Sequence, residues 1–349
     1  MSEQFSCNSC SLKKSRNILN NERGLALFMT VFIITLATYI VFELGYSARF
    51  DQRSTRAFTE NIQAEFILKS EVNLARALLE LPRTEGVNED WLGEGWALIG
   101  AAPSLPIEGF VGEPRLTIVD DVGRININLL SHPTATEAAY WQNVVSELFR
   151  NQGFVEESFD PETYRTIGNY AHSPENQVAV IRDWIDADSD PFSSGAFPGV
   201  GIENKSMKGV FRNRQLRSAH ELLTVPGMTA ERVAKVAPFL YIPAISTAFN
   251  KINVNTAPRE VLEAIGFTSS EAISIEEQRQ VAPINQELLN QLSIGNPDLA
   301  SHTTTRSERY SVYGRVTMPN STRWVYAQIR TQGNPPNRRA KKPDVMLFY

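Results

Sequence analysis

The most uneven feature of the chain is an apolar segment near its N-terminus. Residues 25–42 read LALFMTVFIITLATYIVF, which is 18 positions without a charge. As a helix this segment is about 27 Å long, close to the hydrocarbon thickness of a bilayer. A buried core helix is the alternative, but such helices usually carry a polar face. The pattern therefore predicts a single membrane span.

The residues before this segment indicate its orientation. The cations there are Lys13, Lys14, Arg16 and Arg23, and they outnumber the acids Glu3 and Glu22. Because cationic flanks stay on the cytoplasmic side, we expect a cytoplasmic N-terminus and an exported remainder. Residues 44–48 lack the small-residue pattern of a signal cleavage site, so a cleaved secretory signal is not favoured.

The helical pattern continues beyond the apolar segment. Apolar residues recur at spacings of three or four in two runs, namely Phe58, Ile62 and Phe66, then Leu68, Val72, Ala75 and Leu79. This is the stripe of an amphipathic helix that packs on a domain. Pro82 ends the pattern. Residues 25–81 thus predict one helix that is apolar all round at first and amphipathic afterwards.

Further along the chain, alternation replaces the helical period. It predicts strands at residues 115–120, 124–130, 310–317 and 323–331, and a short last strand at 345–348. The turn Pro319-Asn320-Ser321 joins the third and fourth strands as a hairpin. Residues from about 133 to 295 are predicted to be helical between the two groups of strands. A sheet interrupted by an all-α insert indicates an α+β fold.

Composition narrows the class of protein. The 349 residues are 42% hydrophobic and 21% charged, which excludes a collagen-like, coiled-coil or wholly disordered chain. The net charge of −5 gives no general attraction for nucleic acid. A mean hydropathy of −0.24 excludes a polytopic membrane protein. Cys7 and Cys10 are the two cysteines, so a core stapled by disulfides is excluded.

The sharpest polar cluster follows a tryptophan in the middle of the chain. Asp186, Asp188 and Asp190 alternate, as the early ligands of calcium loops do. With Asp183 they place four carboxylates in eight residues, which repel one another unless solvated or neutralised by a cation. Pro191 stands where an EF-hand loop would continue. An acidic helix end that leads into a loop remains the alternative.

Catalytic motifs do not occur in the sequence. The four histidines are scattered outside any H-E-x-x-H pattern, and neither a G-x-S-x-G elbow nor a P-loop occurs. We therefore expect no enzyme activity. Residues 337–342, which read NRRAKK, are predicted to be a solvated basic loop between strands.

Two segments of the helical region resemble helix-hairpin-helix units. In the first, residues 222–229 read LLTVPGMT, and Gly227 is predicted to be left-handed before Thr229 caps the next helix. In the second, residues 252–262, Asn255 or Thr256 is the expected cap, with Pro258 in the first turn. Such units can bind DNA phosphates through backbone amides.

The cations beside these hairpins are few. Arg232 and Lys235 follow the first hairpin and Arg259 follows the second. Phosphate binding normally needs a clustered basic face. DNA binding is therefore kept as an alternative function and is not the favoured one.

The N-terminus resembles a type IV pilin or pseudopilin precursor. A basic leader ends in Glu22-Arg23-Gly24 and precedes an unbroken apolar helix. The resemblance implies that a prepilin peptidase cuts after Gly24 and methylates Leu25. The family usually has Phe at the first mature position and Glu at the fifth, where this chain has Leu25 and Met29. In lacking this glutamate, the chain resembles the K-type minor pseudopilins of type II secretion systems (GspK-type).

Met29 places an apolar side chain where the family usually has a carboxylate. A carboxylate inside a bilayer is costly and needs a partner. For the family's glutamate, this partner is thought to be the N-terminal amine of the neighbouring subunit. A subunit without that carboxylate needs no neighbour above it, so the resemblance implies a place at the tip of a filament.

Four phrases match the K-type pattern in the same order. They are GRININL at 123–129, DWIDAD at 183–188, ELLTVPGMT at 221–229 and KINVNTA at 251–257. The resemblance covers nearly the whole chain. It implies an α+β fold in which a long N-terminal pilin-like helix lies on an antiparallel sheet that carries a large all-α insert, similar to SAM and helix-hairpin-helix domains. The implied segments are a cleaved leader (1–24), the membrane and filament helix (25–81), a first sheet segment (82–132), the all-α insert (133–297) and a second sheet segment (298–349).

The resemblance also implies calcium as the cofactor. K-type subunits follow their DWxDxD helix end with a loop and a glycine-x-Glu-acidic segment, which here reads Gly201-Ile202-Glu203-Asn204. Asn204 replaces the usual acid and the loop is longer, so one site is expected and a second is not. The foremost ligands are Asp188 and Glu203, followed by Asp186 and Asp190. Asp183 is expected to cap or pair within its helix.

The implied function is structural. With the I- and J-type minor pseudopilins, the chain would cap the tip of the type II secretion pseudopilus and help to start its assembly for export of folded proteins. The major pseudopilin and the prepilin peptidase are further partners, contact with secreted cargo is left open, and nucleic acid is not expected. The location is the bacterial inner membrane, single-pass, with a periplasmic C-terminal domain. The alternatives are a type IV minor pilin or DNA-uptake tip protein that binds DNA, and a membrane-anchored periplasmic enzyme.

Overall fold

The computed structural model describes residues 22–81, 87–104, 107, 110–158, 171–203, 211–243, 250–333 and 338–349. The chain divides into two units, Met1–Ile62 and Gln63–Tyr349. The described helices are α1 (Glu22–Glu80), α2 (Gly95–Leu98), α3 (Ala135–Asn151), α4 (Pro174–Ile185), α5 (Ala230–Val236), α6 (Arg259–Ile265), α7 (Ser269–Val281), α8 (Gln286–Leu292) and α9 (Pro297–His302). The described strands are β1 (Glu113–Asp120), β2 (Ile125–Asn126), β3 (Glu157–Ser158), β4 (Ala171–His172), β5 (Leu240–Tyr241), β6 (Ile252–Asn253), β7 (Thr303–Thr304), β8 (Arg309–Thr317), β9 (Thr322–Gln332), β10 (Arg339–Ala340) and β11 (Val345–Phe348).

The first unit consists, among its described residues, of the N-terminal portion of α1. The helix predicted for residues 25–81 is confirmed, with ends at Glu22 and Glu80, while Pro82 lies outside the described residues. Apolar side chains from Leu25 to Phe42 are exposed, and α1 is long and apolar enough to cross a membrane. Of the predicted leader, residues 1–21 also lie outside the described residues.

The predicted amphipathic stripe of α1 is correct only in its second run. Leu68, Val72, Ala75 and Leu79 are buried, together with Ala64. Phe58 and Phe66, by contrast, are each about two-thirds exposed in a single copy of the chain. Spacing alone cannot distinguish the two runs, because both have the helical period and only the second lies over the sheet.

The sheet of the second unit is antiparallel throughout. Its order is β1-β8-β9, and β10 and β11 both pair with the far edge of β9. One side of the sheet and the buried stripe of α1 share a hydrophobic core that includes Leu116, Ile118, Val312, Val325 and Ala327. The strands predicted from alternation at 115–120, 310–317, 323–331 and 345–348 are confirmed within two residues of their ends, and so is the turn at 319–321. The α+β class is confirmed.

The helical region has a separate hydrophobic core. It is formed mainly by α3 to α8, with Trp141, Phe149 and Ile181 among its fully buried side chains. Apolar side chains between residues 125 and 130 also belong to this core. The sequence suggested that the helical region starts at about residue 133, but the buried contacts place its start earlier in the chain.

The strand predicted for residues 124–130 is wrong beyond its start. Only Ile125 and Asn126 form a strand, parallel to β5, and residues 127–131 form a 3₁₀ helix. The side chain of Asn126 accepts a hydrogen bond from the backbone N–H of Asn128, which caps that helix. Ile125, Ile127 and Leu129 alternate along the sequence, yet Asn126 and Asn128 between them are buried as well. The apparent alternation is thus a buried turn rather than a half-exposed strand.

A buried polar network joins the sheet to the helical region. Asn253 donates from its side chain to the carbonyl of Asp90 at 3.0 Å and to Ser307 at 2.7 Å. Thr256 and Ser307 both donate to Asp120 at the end of β1. Burial raises the pKa of Asp120 to about 7, although these hydrogen bonds lower it. The KINVNTA phrase therefore holds the sheet and the helical region of the second unit together.

The cap predicted for the second hairpin unit is wrong. Pro258, not Asn255 or Thr256, is the residue that precedes α6, so it lies outside the first turn. The side chain of Asn255 instead donates to the carbonyl of Ile284 at 2.9 Å and accepts from its N–H at 2.7 Å. A long-range contact has taken the side chain that the local pattern offered as a cap.

Candidate functional site

Three of the four predicted metal ligands lie together. One carboxylate oxygen each of Asp186, Asp188 and Glu203 falls within 4.8 Å of the others, with Asp186 half-buried, Asp188 exposed and Glu203 buried. Asp190 is not a member of this group. Its backbone N–H donates to Oδ1 of Asp188 at 3.0 Å, so it shapes the loop with its main chain. The prediction of Asp190 as a ligand is therefore not supported by its position.

The group sits at the C-terminal end of α4. That helix starts at Pro174, and Ser173 caps it through the N–H of Asn176. It ends at Ile185, and Asp186 turns the backbone into an extended conformation. Asp186 and Asp188 therefore leave the helix end toward the loop that carries Glu203.

Asp183 positions that loop. Its carboxylate accepts hydrogen bonds from the backbone N–H groups of Phe192 at 2.8 Å, Ile202 at 2.7 Å and Glu203 at 2.8 Å. A Cβ at Gly201 would overlap this carboxylate, so the approach requires glycine. The expectation that Asp183 caps or pairs within its helix is wrong, since its partners lie nine to 20 residues further along the chain.

The electrostatics of the group favour a cation. Oδ1 of Asp186 and Oε2 of Glu203 are buried and have no hydrogen-bond partner among the residues that the structure describes. Burial raises the pKa of Asp186 to about 7, and the charges of Asp188, Asp183 and Glu203 add to the increase. The pKa of Glu203 is raised for the same reasons, burial first. Three carboxylates that lie close together, two of them with a buried and unsatisfied oxygen, fit a hard divalent cation.

Asn213 is a residue at this site that the sequence analysis missed. Its side-chain amide donates to the carbonyl of Asp188, and a hydrogen bond from Asn213 lowers the pKa of Glu203. Its own Oδ1 is buried and has no partner in the described part of the chain. Asn213 is also the one described non-glycine residue with positive φ, at 46°. The signal in the sequence was weak, because an isolated asparagine is common in loops.

The first hairpin unit has the predicted backbone but not the chemistry of a phosphate site. Gly227 is left-handed with φ +82°, and Thr229 caps α5 through the N–H of Arg232. The guanidinium of Arg232 is buried and donates to the carbonyls of Gly227, Val155 and His172. Lys235 pairs with Glu231 at 2.9 Å. The cations beside this hairpin are engaged within the chain.

The second hairpin unit gives the same result. Arg259 pairs with Glu276 through two nitrogens, at 2.8 and 2.5 Å. The geometry therefore does not favour the DNA-binding alternative, because a phosphate would have to displace these internal partners.

Comparison with known proteins gives one family. Residues 123–244 match the family model described as "Type II secretion system (T2SS), protein K". Type II secretion system protein K of Klebsiella pneumoniae is 23% identical over 328 residues, covering 90% of this chain and 94% of the relative. Its counterpart in Pectobacterium carotovorum subsp. carotovorum is 25% identical over 299 residues, covering 80% and 82%.

A solved structure shares the fold. A chain of the GspK-GspI-GspJ complex from the enterotoxigenic Escherichia coli type 2 secretion system aligns with a TM-score of 0.57 and 18% sequence identity. The alignment covers 84% of this chain and 99% of that one. Its level of identity establishes the architecture only.

Proposed function

We propose that this chain is a minor pseudopilin of K type. The family model and the curated relatives confirm its resemblance to type II secretion system protein K. Its role would be structural, capping the tip of the pseudopilus and helping to start its assembly for export of folded proteins. The observation that carries the proposal is the extent of the similarity, which reaches 90% of this chain and 94% of the relative. That the chain is not an enzyme stays a prediction.

The organisation of α1 supports this role. Residues 25–42 are exposed and uncharged, as a helix that packs in a membrane or in a filament must be. The buried stripe between residues 64 and 79 packs on the sheet within the second unit. We infer an inner-membrane location with a cytoplasmic N-terminus and a periplasmic folded domain. Met29 has no carboxylate that could pair with the N-terminal amine of a neighbouring subunit above it.

The proposal predicts a complex with the I- and J-type minor pseudopilins of the same cell. The full-length chain, co-expressed with both and extracted in detergent with calcium present, is expected to co-purify with them in one size-exclusion peak. The choice of partners follows from the structural neighbour, which belongs to a GspK-GspI-GspJ complex. Elution of the chain alone, with both partners well expressed, would remove the main support for the tip role.

The same preparation tests the processing step. Cleavage after Gly24 gives a chain that begins at Leu25, and the intact mass identifies this N-terminus and its methyl group. Gly24→Val is the matched variant, because a bulky residue before the cut is expected to leave the leader attached while the folded domain is unchanged.

We further propose that Asp186, Asp188 and Glu203 hold one calcium ion, with Asn213 as an additional oxygen donor. When bound, the ion would neutralise three carboxylates that otherwise repel one another. It would also tie the end of α4 to the segment after residue 200, which are otherwise joined through Asp183. The ion's role is therefore to stabilise this region of the fold.

Calcium is expected to raise the melting temperature of the full-length chain in detergent. At about 5 mM calcium and a Kd of about 0.2–1 mM, the stabilisation is about 1–2 kcal/mol, or about 3–6 °C. Asp188→Asn and Glu203→Gln should each reduce the shift to less than half, as followed by differential scanning calorimetry. Asp190→Asn is the matched control on the same loop and should keep the full shift. An equal loss in all three variants would contradict the ligand assignment.

A further inference from the structure

The side of the sheet that faces away from α1 has two unlike halves. In one half Ser311 donates to Asp121 at 2.9 Å, and Gln328 donates to the carbonyl of Ile242 at 2.9 Å. Both side chains are buried, because residues of the helical region cover them. In the other half Tyr313 is 39% exposed and Trp324 is 45% exposed. Arg115 beside them is exposed as well.

The exposed half carries two arginines directly opposite each other. The register of β1 and β8 pairs Arg115 with Arg315, and the register of β8 and β9 pairs Arg315 with Trp324. Like charges at directly opposed positions of a sheet are destabilising. Glu113 lies on the same side two residues away, yet no ion pair joins it to either arginine among the described residues. Two unpaired cations stand out in a chain whose net charge is −5.

Aromatic rings flank this arginine pair. The guanidinium of Arg315 lies 5.3 Å from the ring centroid of Trp324. In the next row the rings of Tyr313 and Tyr326 are 5.2 Å apart. A guanidinium supported on an aromatic face keeps N–H donors free for two hydrogen bonds to one carboxylate. Trp, Tyr and Arg are also the residues enriched at the energetic centres of protein interfaces.

We propose that this surface, made of Arg115, Arg315, Trp324, Tyr313 and Tyr326, docks a carboxylate-bearing segment of another protein. The two arginines would pair with acidic side chains, and the rings would cover apolar side chains beside them. The charge complementarity comes from two cations that have no ion-pair partner among the described residues. The proposal does not depend on the secretion role.

The composition of the surface favours a protein over a phosphate polymer or a lipid surface. Polyphosphates and anionic membranes are bound by clusters of cations, whereas here two arginines sit among aromatic rings. The basic residues Arg339, Lys341 and Lys342 lie at or just beyond β10, which pairs with residues 331–332. That is the opposite end of β9 from Trp324, so these cations do not extend the surface.

The test uses the full-length chain in zwitterionic detergent at low salt, with a fluorescein-labelled peptide of four glutamates and two phenylalanines as probe. Fluorescence anisotropy is expected to give a Kd below about 1 mM. Arg115→Glu/Arg315→Glu should weaken binding at least about tenfold, and Trp324→Ala should weaken it by a smaller factor. A peptide with lysine in place of glutamate should not bind.

The matched control is Arg217→Glu/Lys251→Glu. Both of these cations are exposed and lie outside β1, β8 and β9, and the double change alters the net charge by the same amount. Binding should persist in this variant. Equal losses in the two double variants, or an absence of binding to the unaltered chain at millimolar peptide, would overturn the proposal. Tighter binding of double-stranded DNA or of phosphatidylglycerol vesicles, lost on changing the same arginines, would also overturn it and assign the surface to phosphate.

Discussion

Replacing Asp183 by alanine is expected to lower the free energy of unfolding by about 3–5 kcal/mol and to remove the response to calcium. The carboxylate of Asp183 is fully buried and accepts three backbone N–H groups from residues 192, 202 and 203. Alanine would leave these donors buried and unsatisfied, at a cost of about 1–3 kcal/mol each before relaxation. Glu203 would then lose the contact that places it beside Asp186 and Asp188.

Asp183→Asn separates geometry from charge. Asparagine has nearly the same shape but only one acceptor oxygen, and its amide nitrogen would face an N–H donor. We expect it to be destabilised by about 2 kcal/mol and to lose most of the calcium-dependent shift. Asp188→Asn is the comparison, because this exposed side chain should affect the calcium response without altering stability in the absence of calcium. Chemical denaturation of the full-length chain with and without calcium measures both quantities. Wild-type stability of Asp183→Asn would show that the loop is held by other contacts.

This role of Asp183 marks the limit of what the sequence could predict about the site. The alternation of Asp186 and Asp188 is local, so the pattern found these residues. Glu203 entered through resemblance to a family, because no spacing rule joins it to a helix end many residues before it. Asp183 looked like a helix-capping residue, and Asn213 gave only a weak signal, since the partners of both lie 20 or more residues away along the chain.

The fold shows the same division between local and long-range information. The strands at 113–120, 309–317 and 322–332 could be predicted because one side of each is buried and the other is partly exposed. Residues 124–130 could not, because they are buried on all sides and turn early. Asn255 was expected to cap α6 on local grounds but binds Ile284 instead. Polar side chains near helix starts are ambiguous in this way wherever two regions of a protein meet.

The run NRRAKK at 337–342 was the clearest case of a misleading composition. It reads as a solvated basic loop, and the exposed Arg339 fits that description. Arg338, however, is buried, where it pairs with Asp90 and donates to Tyr310, to Thr331 and to the carbonyl of Ser307. Burial lowers the pKa of Arg338, but the neighbouring Tyr310 and Asp90 raise it more, so the guanidinium stays charged.

Replacing Arg338 by methionine is therefore expected to lower the free energy of unfolding by about 3–5 kcal/mol. The loss comes mainly from the buried ion pair with Asp90, whose carboxylate is 2% exposed. Asp90 also accepts from the hydroxyl of Tyr310 and from the N–H of Ser307, so the damage should reach the network that joins the sheet to the helical region. Urea denaturation of the full-length chain in detergent, followed by tryptophan fluorescence, measures the change.

The matched control lies one residue away. Arg339→Met removes an exposed cation from the same run and should change stability by less than about 0.5 kcal/mol. Asp90→Asn/Arg338→Met removes both charges of the pair, so it should be less destabilised than the sum of the two single changes by about 1–3 kcal/mol. Additive effects would show that the two side chains act independently. Coupling between the two side chains would show that the C-terminal segment helps to hold the sheet and the helical region together. Residues 90 and 338 are far apart in the sequence, and their ion pair brings these two parts of the chain into contact.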